Sequence, residues 1–516
     1  MSGRRSSSSL NARRRREEME RLAGGEPVDV VVIGGGITGA GVALDAASRG
    51  LRVALVERRD LANGTSRWSS KLVHGGLRYL RHLQVDVAWE SARERDILMR
   101  RTAPHLVRPL RFVIGLDASM PPALAAFTEA GVRAGDALRI AAGTPSSLLP
   151  HPRRVRAEQA VREVPAMQRQ GLRGAIEFWD GQLEDDARLV IAVARTAAAR
   201  GARILTYCEA IEATCDRVRV RDALSGASFD IRTAHTVNAT GIWAGRLAPG
   251  ISLRPSKGVH VVVRSALLKD PGAALVVPVH GTGRWVFVIP ASDGLTIIGT
   301  TDDAYGGEVP DEPGVSDDEA TVLLAEVSPH LERPLRLEDV IGRYAGFRPL
   351  LSGGGSSTAD LSRKHAIVSD PDTGVVTVVG GKLTTYRHMA EQTVDRVAGS
   401  GAPRSRTATL PLVGAAPPRL LQSLRAPGRL VRRYGAEAPA VASLGNGWPE
   451  LLDPVARGVA ALGVELVFGV EDEGALTVAD LLDRRVRLGL VPAERAAAET
   501  AAEHLLQRGL AEPVSA

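Results

Sequence analysis

Asp29-Val30-Val31-Val32-Ile33 is a β-branched run that stops at Gly34-Gly35-Gly36, after which Val42, Ala43, Leu44 and Ala46 recur at helical spacing. The pattern predicts strand, tight turn and helix. A second strand, Leu51 to Val56, closes on Glu57. Over residues 83–103 charged and apolar positions alternate at helical spacing, with Trp89, Ile97, Leu98 and Met99 on the inward face and a stop before Pro104. Residues 121–140 carry Leu124, Phe127, Val132, Leu138 and Ile140 among few charges. That apolar face is thin for a helix lying in a lipid interface, so a helix packed on protein is expected. Asp185 and Asp186 precede Leu189, Val190, Ile191 and Val193, which makes them N-cap and first-turn residues rather than metal ligands.

From residue 251 to 341 the pattern changes to strands in succession, at 259–263, 274–278, 285–290 and 295–301. Strands without intervening helices predict a largely antiparallel sheet, a second unit lying against the first. Val375 to Val379 then runs into Gly380-Gly381-Lys382 and another helix, repeating the opening arrangement. After Pro403 alanine, leucine and arginine dominate. Thr477 is a candidate N-cap, and a last helix runs from Pro492 to Arg508, as expected of a small helical domain.

With 516 residues the chain is too long for one core and should hold two to four domains. Apolar residues at 44% and charged residues at 24% are ordinary for a globular protein, and no apolar run is long enough to cross a bilayer. The net charge of +6 is local: residues 1–24 hold seven arginines against three glutamates, so the remainder is near neutral. This segment, with serines 6–9 and no apolar run, is expected to be a disordered, solvated basic arm rather than a nucleic-acid or lipid ligand. Two cysteines, Cys208 and Cys215, form no disulfide framework or metal spacing and fit a reducing cytoplasm as structural residues.

The glycine turn carries the first chemistry. Gly34 allows a sharp exit from the strand, Gly36 lets a pyrophosphate approach the backbone, and Gly39 lets the helix pack close to the sheet. Phosphates would then sit at a helix N-terminus, where free N–H groups favour an anion. Glu57, 18 residues after Gly39, stands near the position of an acid that binds a ribose hydroxyl. NAD and FAD both satisfy this much. In the segment that follows, Thr65, Ser66, Ser69 and Ser70 are placed to donate to phosphate or ring edges.

Here the chain begins to resemble a family. Ser70-Lys71-Leu72-Val73-His74-Gly75-Gly76-Leu77-Arg78-Tyr79-Leu80 is similar to the corresponding loop of the FAD-dependent glycerol-3-phosphate dehydrogenases. Lys257-Gly258-Val259-His260, Ile298-Gly299-Thr300-Thr301-Asp302, the Asp185-Asp186-Ala187-Arg188-Leu189 stretch and the C-terminal Arg484-Arg485-Val486-Arg487-Leu488 also match that family, in the same order. Asn238-Ala239-Thr240-Gly241 resembles the turn that glutathione-reductase-type flavoproteins set beside the adenine half of FAD. The resemblance spans about residues 27–510; residues 113–175 match poorly.

The resemblance implies a glutathione-reductase-type FAD-binding Rossmann domain (27–100, 178–250 and 346–398), an inserted mixed or antiparallel substrate-domain sheet (101–177 and 251–345), a linker (399–411) and a C-terminal helical domain (412–510), after a basic arm (1–26). It places Ser69, Ser70, Lys71, Gly381, Leu383 and Thr384 along the flavin, and Arg78, Tyr79, Arg348 and Lys382 at the substrate. On pattern alone His260, in a run of valines, is a core histidine; the resemblance makes it the catalytic base. Oxidation of a secondary alcohol by flavin needs a proton acceptor and cations to grip the phosphate, with Arg348 also able to polarise the C2 oxygen. The implied reaction takes sn-glycerol 3-phosphate to dihydroxyacetone phosphate. Electrons pass to a quinone, or to dioxygen in an oxidase, and the quinone would bring peripheral contact with the inner face of the cell membrane. A homodimer is compatible with the sequence, and no metal or nucleic acid is implied.

Overall fold

The computed structural model describes residues 6–76, 84–248, 250–279, 281–351, 365–399 and 401–511. Val28–Ile33 is the central strand of the first sheet, flanked in parallel register by Val53–Val56 (Val30 opposite Val53) and by Ser228–Asn238 (Val30 opposite His235). Arg203–Leu205 extends the sheet beyond Val53–Val56, and Val376–Val379 and antiparallel Ala366–Ser369 extend it on the other side. Alternation along the strand sends Val30 and Val32 to one face and Val31 and Ile33 to the other. Helices Ile37–Ser48, Asp186–Ala199 and Tyr386–Ala398 cover the first face through Val42, Val190 and Val394. Strands Cys208–Ala213 and Arg217–Asp222 cover the second. Helices on one face of a parallel sheet, with small strands on the other, is the expected FAD-binding Rossmann architecture.

The second sheet holds ten strands among the described residues and is antiparallel throughout except where Ala274–Val279 joins Val107–Gly115 in parallel. Leu253–Arg264 is its spine: it pairs with Gly342–Leu351 on one side and with Leu295–Gly299 on the other, so that His260 lies opposite both Tyr344 and Gly299. Helix Asp317–Val327 packs on one face, and helix Pro122–Ala141 on the other through Ala125 and Val132. The latter is packed on protein as expected, but Phe127 and Ile140 remain more than half exposed on its outer side.

Three readings need correction. The basic arm is not disordered over its described part: Ala12–Ala23 is a helix capped by Asn11, with Leu22 fully buried. Two of its arginines, Arg14 and Arg15, are engaged within the fold. Arg14 pairs with Glu18 at 2.7 Å, and Arg15 donates to the Thr206 carbonyl at 2.7 Å and pairs with Asp222. The Arg15 partners lie some two hundred residues away, which is why composition alone read as solvated. In helix Val85–Ile97 Trp89 turns outward and is 38% exposed, while Ile97 is buried; Leu98–Thr102 widens into a π-type turn that buries Leu98 and Met99. Residues 401–411 lack helix and strand but are not loose, since Ser405 and Thr407 bond the buried Asp45 and the Pro403 carbonyl accepts from Arg49.

The C-terminal unit is helical: Gly463–Glu471 and Pro492–Ala511 pack around Leu466, Leu481 and Ala502, and Gly428–Tyr434 joins a second cluster through Leu430 and Tyr434 with Val464 and Phe468. Thr477 does cap a turn, its Oγ1 accepting the Asp480 N–H at 3.1 Å. Asp60, just past Glu57, is fully buried against this unit, accepting from Arg484 Nε at 2.6 Å and Arg485 Nη1 at 2.7 Å.

Candidate active site

A cavity of about 1230 Å³ is lined by residues of both sheets, among them Gly34, Gly36 and Glu57 after the first strands and Gly381, Lys382 and Thr384 after strand Val376–Val379. The opening turn is built for close approach. Gly34 has φ +112°, and a Cβ there would stand 2.6 Å from the Ala239 carbonyl; a Cβ on Gly39 would stand 1.9 Å from the Gly34 carbonyl. Only glycine fits either place. Gly36 starts helix Ile37–Ser48 without a capping side chain of its own, so the helix end faces the cavity. Glu57 is held by the N–H groups of Gly35 (2.6 Å) and Arg59 (2.8 Å).

Gly380 and Gly381 both take positive φ, turning strand Val376–Val379 into the Tyr386–Ala398 helix. Lys382 Nζ donates to Ser91 Oγ at 2.7 Å. Arg348 reaches the same space from strand Gly342–Leu351, its Nη1 donating to Asp302 Oδ1 (3.2 Å) and its Nη2 to Thr300 Oγ1 and the Thr301 carbonyl (both 3.1 Å). The guanidinium has room because position 258 is glycine: a Cβ there would lie 2.6 Å from Arg348 Nη2. His260 lies against Gly299, stacks on Tyr344 (ring centroids 4.6 Å, planes 10° apart) and shares a 2.7 Å hydrogen bond between Nε2 and Ser70 Oγ. Burial, with the positive charges of Arg348 and Lys71 nearby, holds its pKa down to about 3, so the ring is neutral at physiological pH.

Residues 29–387 match the family model described as FAD dependent oxidoreductase, and residues 405–508 match the C-terminal domain of alpha-glycerophosphate oxidase. Glycerol-3-phosphate dehydrogenase 1 of Mycobacterium bovis is 48% identical over 97% of this chain and 99% of its own length. The glycerol-3-phosphate dehydrogenase of Synechocystis is 34% identical over 90% of this chain and 89% of its own. Among solved structures, the Bacillus halodurans glycerol-3-phosphate dehydrogenase complexed with FAD superposes with a TM-score of 0.71 at 27% identity, covering 98% of this chain and 99% of that one. The chain belongs to the FAD-dependent glycerol-3-phosphate dehydrogenase family. Its cofactor is FAD, and the cavity fits it: a helix N-terminus whose N-cap, Gly36, has no side chain to fill the space a pyrophosphate needs, an acid suited to a ribose hydroxyl, and the glycine at 241 with φ +60° beside Trp243, whose buried Nε1 lacks an acceptor among the described residues.

Measured against that family assignment, the residues singled out in the sequence distribute unevenly. Gly34, Gly36, Glu57, Thr65, Ser66, Ser69, Ser70, Gly241, His260, Arg348, Gly381, Lys382, Leu383 and Thr384 all line the one cavity. Gly39 lies behind the turn, where it serves packing. The hydroxyls expected to donate to the ligand are partly engaged within the protein: Thr65 donates to the Phe347 carbonyl (2.8 Å), Ser66 Oγ accepts the Ile37 N–H (2.9 Å), and Ser69 donates to Asp186 (2.8 Å). These bonds shape the loop around the cavity. Lys71 is not among the lining residues; its ammonium is buried on Asp186 at 2.8 Å. Arg78 and Tyr79 lie outside the described residues.

Sequence reasoning missed Asp302, which lines the cavity and orients Arg348, and Ser91, which meets Lys382 from another helix. It also gave Asp186 only a helix-terminal role. Asp302 and Asp186 stand inside stretches that match the family, but the part each plays comes from a partner distant in the chain, and nothing local marks Ser91.

Proposed function

We propose that this protein oxidises sn-glycerol 3-phosphate to dihydroxyacetone phosphate and passes the electrons to a quinone. The observation that carries the reading is that two cations, Arg348 and Lys382, and one neutral imidazole, His260, line the same cavity as Gly381 and the N-terminus of helix Ile37–Ser48. Bound FAD supplies the two-electron acceptor. Arg348 and Lys382 hold the phosphate dianion, with Asp302 fixing the plane of the guanidinium. His260 takes the C2 hydroxyl proton at Nε2. Arrival of the dianion offsets the Arg348 charge that depresses His260, so substrate itself makes the ring a stronger base. By resemblance Arg78 and Tyr79 join the substrate contacts.

The quinone reading is supported by the apolar part of the cavity, where Phe112, Ile114, Leu124, Phe127, Val132 and Phe178 provide walls suited to a lipid-soluble acceptor. No described helix is long and apolar enough to cross a membrane. Exposed Phe127 and Ile140, with Val85 and Trp89 also exposed, support peripheral contact with a bilayer. The similarity of residues 405–508 to the C-terminal domain of an oxidase favours dioxygen as a second reading. Anaerobic mixing of the yellow holoenzyme with glycerol 3-phosphate decides the first point: the flavin absorbance should bleach, and an unbleached spectrum would remove the substrate assignment. Reoxidation by a short-chain quinone much faster than by air supports the quinone; the reverse order supports the oxidase.

A further inference from the structure

The loop that carries Ser70 to His260 is fastened from behind by one carboxylate. Asp186, fully buried at the first position of helix Asp186–Ala199, accepts the Ser69 N–H at 2.9 Å and the Ser69 hydroxyl at 2.8 Å on one oxygen, and the Lys71 ammonium at 2.8 Å on the other. Both neighbours of Ser70 are therefore pinned to the same side chain. Lys71 takes a left-handed backbone conformation, φ +55°, so the turn is one that the chain would not adopt freely. The next layer repeats the fastening. The Tyr344 hydroxyl donates to the Ser69 carbonyl at 2.9 Å, and the same Tyr344 ring supports the His260 ring by stacking. Lys71 Nζ stands 5.4 Å over that tyrosine ring. On the far side Arg487 of the C-terminal unit donates to the Arg67 carbonyl at 2.7 Å and pairs with Asp185 at 3.2 Å and Asp186 at 3.5 Å. A fully buried ion pair adds little stability for its desolvation cost, so its value lies in fixing geometry.

We propose that Asp186 is a positioning residue for His260: it sets the Ser69–Lys71 turn, and through Ser70 and Tyr344 it fixes the azimuth and height of the imidazole at which the substrate proton is taken. This rests on the reaction proposed above. The role is distinct from capping, which Asp185 performs by accepting the Arg188 N–H at 2.8 Å. A carboxylate at position 186 also places negative charge near His260, which opposes the effect of Arg348 and Lys71.

The test is a mutant cycle on the FAD-bound full chain, read by anaerobic stopped-flow reduction with glycerol 3-phosphate. Asp186→Asn should slow flavin reduction about 10–100-fold with substrate Kd within about 3-fold, as expected when a reacting group is misplaced and binding is not. In a His260→Gln background the same substitution should cost less than about 3-fold, because two residues acting through one step are not additive. Equal losses in both backgrounds, or a rate within 3-fold of the parent in Asp186→Asn, would overturn the inference while the reaction itself stands. Absence of bleaching in the parent holoenzyme removes the reaction and the inference together. Should Asp186→Asn fail to accumulate as holoenzyme, Ser69→Ala provides the same reading: about a 3–10-fold slower reduction at unchanged Kd supports the positioning role, and an unchanged rate refutes it.

Discussion

His260 is a neutral ring held between Gly299 and Tyr344, and the role of base proposed for it depends on that neutrality, because only an uncharged imidazole can accept a proton. Replacing it by glutamine should lower kcat by about 100-fold or more while KM changes little, as measured by steady-state assay with an artificial acceptor. Arg348→Ala and Lys382→Ala should instead raise KM for glycerol 3-phosphate by at least about 10-fold with the flavin spectrum intact; unchanged KM in both would take the pair out of the substrate site. The same burial has a pH consequence. His260 and His105 are both held to about 3 by burial, against an ordinary 6.5, so the unfolded chain takes up protons on them that the folded protein refuses. Stability is then unaffected above pH 6.5 and falls as pH drops from 6.5 towards 3, by up to about 2–3 kcal/mol per ring at pH 4.5. Urea unfolding should show this decline, and His105→Gln, away from the cavity, should make it shallower.

Among elements, the strand, glycine turn and helix beginning at Val28 were fully legible in the sequence, because their signals are local: β-branched residues, then positions where a Cβ has no room, then a helical period. Gly39→Ala would push a methyl group to 1.9 Å from the Gly34 carbonyl, and the purified protein should lose bound flavin, seen as a collapse of the ratio of visible to ultraviolet absorbance. The spine strand of the second sheet was equally readable from its valines, and the glycines at 258 and 299 make sense only once Arg348 and His260 are seen lying over them. Helix Ala12–Ala23 was not legible. Its apolar contacts are few, and its arginines look like a solvated run until the Thr206 carbonyl and Asp222 are brought beside them. Trp89 misled for a related reason: large apolar side chains tend inward, but this helix buries Val87, Ser91 and Glu94 instead, the last in a bidentate pair with Arg387.

Across the whole molecule, the cavity exists only because distant parts are held in register, and a carboxylate just after Glu57 contributes most visibly. Asp60 accepts from Arg484 and Arg485 with no exposure to solvent, joining the C-terminal unit to the loop that begins at Glu57. Asp60→Asn leaves two buried guanidinium groups short of a charge and should destabilise the protein by about 3–5 kcal/mol, read as a large fall in Tm with earlier release of flavin; a Tm within 2 degrees, on the order of the shift from 1 kcal/mol, would show that the fastening is dispensable. The first and last quarters of the polypeptide are also tied directly, with the Leu10 N–H donating to the Asp472 carbonyl at 2.9 Å. The helix that follows Leu10 lays Leu22 in the same apolar cluster as Leu205 and Cys208, shutting that thiol away while Cys215 stays open to solvent. Amino-terminal trimming through residue 24 should therefore uncover that thiol: Ellman's reagent should titrate one cysteine in the intact protein and two in the trimmed one, turning a count of thiols into a gauge of whether the leading helix is seated.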